Sequence, residues 1–363
     1  MKPKFYRLDK IKKADAQYNV IFGERSSGKT FAVLEEGIKN FCEAGEQLAI
    51  VRRWEEDFRG KRGQTMFDSL VTAGIVEKYS GGEWTGVYYY ASKWYLCRYD
   101  DDGNRIVHPD PFAFGFSITA MEHDKSTSYP NVTTICFDEF LTRTVYIPDE
   151  FVLFCNVVST IVRHRTNVKI YMLGNTVNKY CPYFKEMGLK HVQEMKPGTI
   201  DVYNYGNSGL KVAVEYTIPT KTGKESDVYF AFDNPKLQMI TSGSWEIDIY
   251  PHCPVKYKPK NVLFTFFIEF EGTLLQAEIV QVKDFRFMFI HPKTSELKHP
   301  EKDLIYSSSY HAGHNWRRNI LRPIDNIDKK IFWFIKADKV FYSDNEVGEV
   351  MRNYLISCGK SAI

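Results

Sequence analysis

Near the N-terminus, the residues from Gly23 to Thr30 form a pattern that can bind a phosphate chain. The run Gly-Glu-Arg-Ser-Ser-Gly-Lys-Thr satisfies G-x-x-x-x-G-K-[ST] at each fixed position. Glycines let a loop wrap an anion, and successive backbone N–H groups at a helix N-terminus bind it. Lys29 would reach the β and γ phosphates, and Thr30 would ligate Mg²⁺. The pattern therefore predicts a P-loop that binds ATP through Gly23, Arg25, Ser26, Ser27, Gly28, Lys29 and Thr30.

A pair of adjacent carboxylates, Asp138 and Glu139, follows the apolar run 133–137. Parallel sheets bind ligands at the carboxyl ends of their strands, so this run is typical of a Walker B strand. Asp138 would contact the nucleotide site and hold Mg²⁺, and Glu139 would orient and activate the attacking water. The alternative is a solvated acidic pair at the end of a strand.

Two further residues, Asn175 and Arg163, each allow a catalytic interpretation and a purely structural one. Asn175 ends the predicted strand 168–173 and would act as a γ-phosphate sensor if that strand lies beside both Walker strands; otherwise Asn175 caps a helix or closes a turn. Arg163 follows the predicted helix 152–162 and could stabilise transition-state charge on a neighbouring subunit's ATP. Without a ring of subunits, Arg163 is a basic residue favoured at a helix C-terminus.

The elements that must position these residues alternate between strands and helices. The periodicity predicts strands over 18–22, 47–51, 132–137 and 168–173 and helices over 30–41, 67–75 and 152–162. Between them, aromatic residues alternate over 87–120 around the turn-forming 100–104, which indicates an inserted β-hairpin. We therefore expect an α/β P-loop domain with a parallel sheet over 1–200.

The rest of the chain predicts a linker and a second domain. Residues 201–250 include stretches rich in Gly, Pro, Thr and Lys, which indicate a connecting segment. Strand-like runs at 261–270, 274–282 and 286–291, followed by helical spacing at 346–356, predict an α+β domain over 251–363 organised around a meander.

Composition narrows the class of protein. The net charge is only +3, so any contact with nucleic acid must be local. The seven cysteines form no C-x-x-C pair, which argues against a zinc ribbon or a disulfide framework. There is no apolar stretch long enough for a membrane span and no signal-peptide core, so we expect a cytoplasmic protein without a membrane partner.

Together these motifs resemble the φ29-like phage DNA-packaging ATPases. The P-loop, the strand ending in Val51-Arg52-Arg53, the run 125–132 leading directly into Cys136–Phe140, and Arg163-His164-Arg165 carry the resemblance, which spans about residues 15–185. The Tyr-Pro-Asn-Val stretch beside the Walker B strand is its most specific part.

The resemblance implies a terminase-like ASCE motor that forms a homomeric, pentameric ring and threads double-stranded DNA into a preformed capsid. It places Glu139, Arg163 and Lys125 in catalysis, the last two acting in trans on a neighbouring subunit. It also implies an RNase H-like C-terminal domain that has lost nuclease activity, and docking on the capsid portal vertex with or without a packaging RNA. Such a protein would act in the cytoplasm of the infected host cell, transiently on the procapsid.

Two matters stay open at this level. Arg59, Lys61 and Arg62 follow the second strand and could contact DNA phosphates without regard to sequence, or could belong to a solvated loop. The alternative functions are a terminase with an active nuclease, using Glu269, Glu271 and Asp344, and a P-loop switch or small-molecule kinase that does not move DNA.

Overall fold

The computed structural model describes residues 5–120, 127–144, 146–219, 244–253 and 255–360. The chain divides into two compact units, Met1–Glu246 and Ile247–Ile363. The α-helices in the described residues are α1 (Asp9–Lys12), α2 (Lys29–Ala44), α3 (Gly60–Gln64), α4 (Asp68–Thr72), α5 (Ile75–Ser80), α6 (Glu150–Val162), α7 (Pro182–Glu186), α8 (Asn326–Lys336) and α9 (Asn345–Lys360). The strands are β1 (Tyr18–Gly23), β2 (Gln47–Arg52), β3 (Gly86–Tyr90), β4 (Lys93–Tyr99), β5 (Arg105–Val107), β6 (Ala113–Ser117), β7 (Val132–Asp138), β8 (Lys169–Asn175), β9 (Ile200–Tyr205), β10 (Leu210–Tyr216), β11 (Val262–Phe270), β12 (Thr273–Val282), β13 (Phe285–Pro292), β14 (Ile305–Ser307), β15 (Trp316–Arg317) and β16 (Val340–Tyr342).

The first unit is built on a mostly parallel sheet. Its strand order is β3-β4-β6-β2-β7-β8-β1-β10-β9, with β5 paired to β4. The six strands from β6 to β10 in this order are mutually parallel, and antiparallel strands flank them on both sides. This confirms the predicted α/β P-loop fold.

Both faces of this sheet are buried, which explains why its central strands are apolar without alternation. In β1, Val20 and Phe22 pack into one hydrophobic cluster with Phe154 of α6, and Ile21 packs into a second cluster with Ile38 of α2. The helices therefore hold the central strands from both sides, and the strand ends are left to carry the polar groups.

The aromatic stretch after the second strand forms the predicted hairpin structure at one edge of the sheet. β3 and β4 form one hairpin, and β4 pairs with β5 across the turn at 100–104. β6 then leaves this antiparallel part and runs parallel to β2. The hairpin is thus continuous with the main sheet.

The predicted linker over 201–250 is wrong in its first part, because residues 201–216 belong to the sheet. β10 pairs in parallel with β1, the strand that leads into the P-loop, and β9 pairs with β10. Val212, Ala213 and Val214 are buried. The turn-rich residues before Leu210 obscured the pattern of this interior strand. Residues 220–243 lie outside the described part of the chain.

The second unit has a six-stranded sheet in the order β15-β14-β11-β12-β13-β16. β11, β12 and β13 form the predicted antiparallel meander, and β14 runs parallel to β11. That this sheet is RNase H-like stays a prediction from the resemblance. α9 contains the predicted helix 346–356, whereas α8 was not predicted.

Within the described ranges, no helix combines the length and the apolar character needed to cross a membrane.

Candidate active site

The P-loop joins the end of β1 to the start of α2, as its sequence predicts. Gly23 lies so close to Thr217 that a Cβ there would be 2.0 Å from the Thr217 hydroxyl oxygen. Gly28 has φ of 90°, a conformation that a residue with a side chain rarely adopts. These two glycines are therefore required by the backbone, and α2 begins at Lys29 with its N–H groups directed at the loop.

Lys29 is held inside this loop by three oxygen atoms. Its Nζ donates to the Glu24 carbonyl at 2.6 Å, to the Ser27 hydroxyl at 3.2 Å and to Asn175 Oδ1 at 3.3 Å. Burial lowers the pKa of Lys29 to about 8, although the carboxylate of Asp138 opposes the shift. The ammonium is thus placed where an anionic phosphate would replace weak neutral partners.

Thr30 and Asp138 meet across the site. The Thr30 hydroxyl donates to Asp138 Oδ1 at 3.0 Å, which joins the first turn of α2 to the end of β7. A hydroxyl and a carboxylate that converge in this way are hard oxygen ligands of the kind that Mg²⁺ prefers. The two residues predicted to hold the metal therefore fit that role.

The strand β8 lies between the two Walker strands. It pairs with β1 on one side and with β7 on the other, so Asn175 ends opposite Gly23 in the sheet. The contact between Asn175 and Lys29 favours the interpretation of Asn175 as a sensor over that of a helix cap.

Arg52 was not assigned a role from the sequence, yet it binds both Walker B carboxylates. Its guanidinium donates to Asp138 Oδ2 at 2.6 Å and to Glu139 Oε2 at 2.8 Å. These residues are 86 and 87 positions apart in the chain, so only the pairing of β2 with β7 brings them together. The signal available in the sequence was a charged residue at the end of an apolar strand.

Glu139 adopts an unusual backbone conformation for a residue with a long side chain. Its φ is 61°, in the left-handed region, and its side chain is 65% exposed. Non-glycine residues in this region cluster at functional sites, where the surrounding structure maintains the strain. The backbone thus turns Glu139 out of the strand while Asp138 stays buried.

Arg163 lies away from these residues within its own chain. It follows the last residue of α6, is exposed, and donates to the Thr127 carbonyl at 3.0 Å, near the start of β7. Asp138 is at the other end of that seven-residue strand, a span of about 20 Å. Arg163 therefore cannot serve its own P-loop. Lys125 lies outside the described residues.

The predicted DNA-contacting residues lie beside the nucleotide site. Arg59, Lys61 and Arg62 are exposed, with Arg59 paired to Glu55 at 3.0 Å and Arg62 to Asp57 at 3.5 Å. Arg62 also lines a cavity of about 330 Å³ shared with Thr30, Arg52, Asp57 and Asp138. Lys61 and Arg62 lie on the short helix α3, where the sequence predicted a loop, and Arg62 borders the P-loop site.

In the second unit, the carboxylates considered for nuclease activity have other bonding roles. Glu269 accepts hydrogen bonds from the Ser307 hydroxyl and, at 3.3 Å, from the Gly272 N–H. Asp344 accepts from the Val347 N–H at 2.9 Å, in the first turn of α9. Among the residues described, no group of three or more His, Cys, Asp or Glu side chains could hold a metal ion.

Comparison with known proteins confirms the resemblance inferred from the motifs. The family described as "Podovirus DNA encapsidation protein (Gp16)" matches residues 105–205. The DNA packaging protein of Bacillus phage B103 is 30% identical over 178 residues, which are 48% of this chain and 49% of that protein. The chain spans about half the length of the curated relatives it matches.

Solved structures extend the likeness to both units. "The bacteriophage Phi-29 viral genome packaging motor assembly" contains a chain that is 20% identical, with a TM-score of 0.52 and 96% of each chain covered. "The Phi-28 gp11 DNA packaging Motor" contains one that is 15% identical, with a TM-score of 0.51 and 98% of each chain covered. At these identities the likeness establishes the fold.

Proposed function

We propose that this chain hydrolyses ATP and uses the energy, as a subunit of a homomeric ring, to move double-stranded viral DNA into a preformed capsid. The observation that carries the proposal is the convergence of Lys29, Thr30, Asp138 and Asn175 at one edge of the sheet. The similarity to phage DNA packaging proteins supports the DNA substrate and the viral setting.

Each residue of this site has a separate task in phosphoryl transfer. The P-loop amides and Lys29 bind the phosphate chain, and Asn175 fixes the position of the Lys29 ammonium. Thr30 and Asp138 would hold Mg²⁺, which neutralises charge on the β and γ phosphate oxygens when it is bound. These groups supply positioning and charge neutralisation, which are the main requirements of this reaction.

Water activation is assigned to Glu139. Its carboxylate is exposed at the mouth of the site and is held by Arg52. Arg52 contacts Oε2 of Glu139 at 2.8 Å, and the same guanidinium holds Asp138. Arg52 therefore holds the general base in place beside Asp138, where the two carboxylates would otherwise repel each other.

The position of Arg163 supports the ring that the resemblance implies. At the far end of β7 it is too distant from its own P-loop to contact ATP there, but it is exposed and available to the P-loop of a neighbour. Lys125 is assigned a second trans contact through the resemblance alone. A pentamer, the capsid portal vertex and a packaging RNA are partners that the resemblance implies.

DNA contact is assigned to Arg59, Lys61 and Arg62. Lys61 and Arg62 lie on the short helix α3, which Arg59 directly precedes, and Arg62 lines the nucleotide cavity. A change at the site can therefore displace this helix. Contacts to phosphates are independent of sequence, as a motor that moves along DNA requires. Binding should weaken steeply as salt is raised.

Steady-state ATP hydrolysis with and without double-stranded DNA tests this proposal. DNA-stimulated turnover that is lost in Glu139→Gln supports a DNA motor. Turnover that ignores DNA favours the alternative of a P-loop switch or kinase.

A further inference from the structure

A short segment at the end of the first unit, residues 244–246, lies against the nucleotide site; we call it the strap. The Trp245 ring packs 5.1 Å from Phe22 and 6.4 Å from Phe184, measured between ring centroids. Phe22 is the residue before Gly23, where the P-loop begins. The strap is therefore anchored on the strand that carries the phosphate-binding loop.

The backbone of Glu246 is hydrogen-bonded to the residues around the end of β8. Its N–H donates to the Thr176 carbonyl at 2.9 Å, and its carbonyl accepts from Arg143 at 2.7 Å. The same Arg143 nitrogen donates to the Val177 carbonyl at 3.0 Å. Thr176 directly follows Asn175, so the strap is hydrogen-bonded to the residue next to the proposed γ-phosphate sensor.

The carboxylate of Glu246 reaches the P-loop itself. Its Oε1 lies 3.8 Å from the Arg25 guanidinium, with the side chains 17% and 54% exposed, respectively. Arg25 is one of the variable residues of the Walker A run and has the geometry to bind phosphate oxygens bidentately. A bound triphosphate and Glu246 would therefore compete for the same cation.

The docked strap also contains an unsatisfied polar group. Trp245 Nε1 is buried and has no hydrogen-bond partner among the described residues. A buried donor without a partner costs free energy relative to one that water can reach. The contacts that dock the strap therefore work against the free-energy cost of burying this unpaired N–H, and a small change in those contacts can release the strap.

We propose that Glu246 is a positioning residue for Arg25, and that nucleotide binding releases it. Without nucleotide, Glu246 holds Arg25 away from the phosphate site and keeps the strap docked. Phosphate draws Arg25 from Glu246, and the strap loosens. Because Ile247 is the first residue of the second unit, nucleotide occupancy is thereby transmitted to the chain segment that enters that unit. This inference rests on the nucleotide binding proposed above.

Hydrogen exchange of the strap amides in nucleotide-free protein tests the docked state. We expect Glu246→Gln and Arg25→Met each to lower protection of these amides about threefold, the order for breaking one partly exposed ion pair, and the double variant to lower it no further. Glu246→Asp should restore part of the protection. The matched control is Glu43→Gln, which removes an exposed pair with Lys39 on α2. Strap protection in Glu246→Gln equal to that of the wild type would overturn the inference.

Addition of a non-hydrolysable ATP analogue tests the release. Wild-type strap protection should fall to the level of Glu246→Gln, and Glu246→Gln should bind a fluorescent form of the analogue about threefold more tightly, a gain that disappears in the Arg25→Met background. If the analogue binds and strap protection stays unchanged, the release is wrong while the proposed nucleotide site stands. If the analogue does not bind, the proposed function fails, the release fails with it, and the nucleotide-free comparison still decides whether Glu246 holds Arg25.

Discussion

Asn175 Oδ1 lies 3.3 Å from Lys29 Nζ, so the end of β8 contacts the lysine of the P-loop directly. Because β8 is hydrogen-bonded to β1 and β7, a displacement of Asn175 would be accompanied by movement of the strand that leads into the P-loop and of the strand that ends in Asp138.

Replacing Asn175 should slow hydrolysis more than it weakens binding. We expect Asn175→Ala to lower kcat about 100-fold, the order found when one preorganised polar group is removed from an active site. KM for ATP should change little, because the P-loop amides remain. Steady-state kinetics measure both, with Asn204→Ala on the exposed side of β9 as the matched control. Equal losses in the two variants would contradict the sensor role.

Arg52 should be essential for turnover, although it binds no part of the P-loop. Arg52→Gln removes the cation that bridges Asp138 and Glu139, and the two carboxylates would then repel each other. We expect kcat to fall about 100-fold while the chain remains folded by circular dichroism. Near wild-type turnover would show that Glu139 needs no partner.

The adjacent Arg53 should matter for stability instead. It forms a two-bond ion pair with Glu150, at 2.9 and 2.7 Å, and the Glu150 side chain is 1% exposed. Arg53→Met leaves that carboxylate buried with its main cation removed, which should lower the free energy of unfolding by about 3–5 kcal/mol. Denaturant unfolding of the Arg53→Met and Arg52→Gln variants compares the two arginines. A larger loss of unfolding free energy in Arg52→Gln than in Arg53→Met would show that Arg52, and not Arg53, is the main stabilising arginine.

The Glu278 and His291 pair should make the second unit sensitive to pH. Interaction with His291, together with hydrogen bonds from Tyr257 and Gln276, lowers the pKa of Glu278 to about 2 from an ordinary value of 4.5. The hydrogen bond to Glu278 raises the pKa of His291 above 6.5, although burial and, to a smaller extent, Lys293 oppose the shift. The contribution of Glu278 is lost as pH falls from about 4.5 through 2, and that of His291 is lost as pH rises through its raised pKa.

The difference between wild type and Glu278→Gln in unfolding free energy should therefore be larger at pH 5.5 than at pH 8.5. Urea unfolding at the two pH values, monitored in the second unit by hydrogen exchange, measures this difference. Glu296→Gln, at an exposed position, is the control. A difference that does not depend on pH would show that the pair carries no charge-dependent stability.

The second unit should not cut DNA. Ser307 is in register with Glu269 on the neighbouring parallel strand and donates to its carboxylate. Two-metal nucleases need converging carboxylates, and at this point of the sheet the partner is a hydroxyl. Supercoiled plasmid should remain intact with Mg²⁺ or Mn²⁺. Nicking that disappears in Glu269→Gln would support the terminase alternative.

The parts predicted well from the sequence are those in which function and local pattern coincide. The conformation of the P-loop depends on its own glycines, Gly23 and Gly28, and the strand that ends in Asp138 is rich in β-branched and apolar residues. The meander of the second unit could also be predicted, because short turns separate its strands and the paired residues are close in the sequence.

The parts that were missed depend on contacts between distant residues. Arg52 became functional only through the pairing of β2 with β7. β10 fell within the predicted linker because its position inside the sheet is set by pairing with β1, almost 200 residues earlier, and not by its own flanking residues. The hydrogen bond from the Glu246 N–H to the Thr176 carbonyl joins residues that are distant in the chain, and no pattern in the sequence predicts it. Long-range pairing of this kind has no local signature.

The central claim is that neighbouring subunits share one catalytic site, and that DNA stimulates ATP hydrolysis at this site. ATP hydrolysis with double-stranded DNA should be measured for Glu139→Gln, for Arg163→Ala and for a one-to-one mixture. Each variant alone should be nearly inactive. In the mixture, an Arg163→Ala subunit keeps its Glu139 and can receive Arg163 from a Glu139→Gln neighbour. Random assembly should then restore about a quarter of wild-type turnover, since about a quarter of the sites have this composition. A mixture no more active than the mean of the two variants, with turnover indifferent to DNA, would contradict the account.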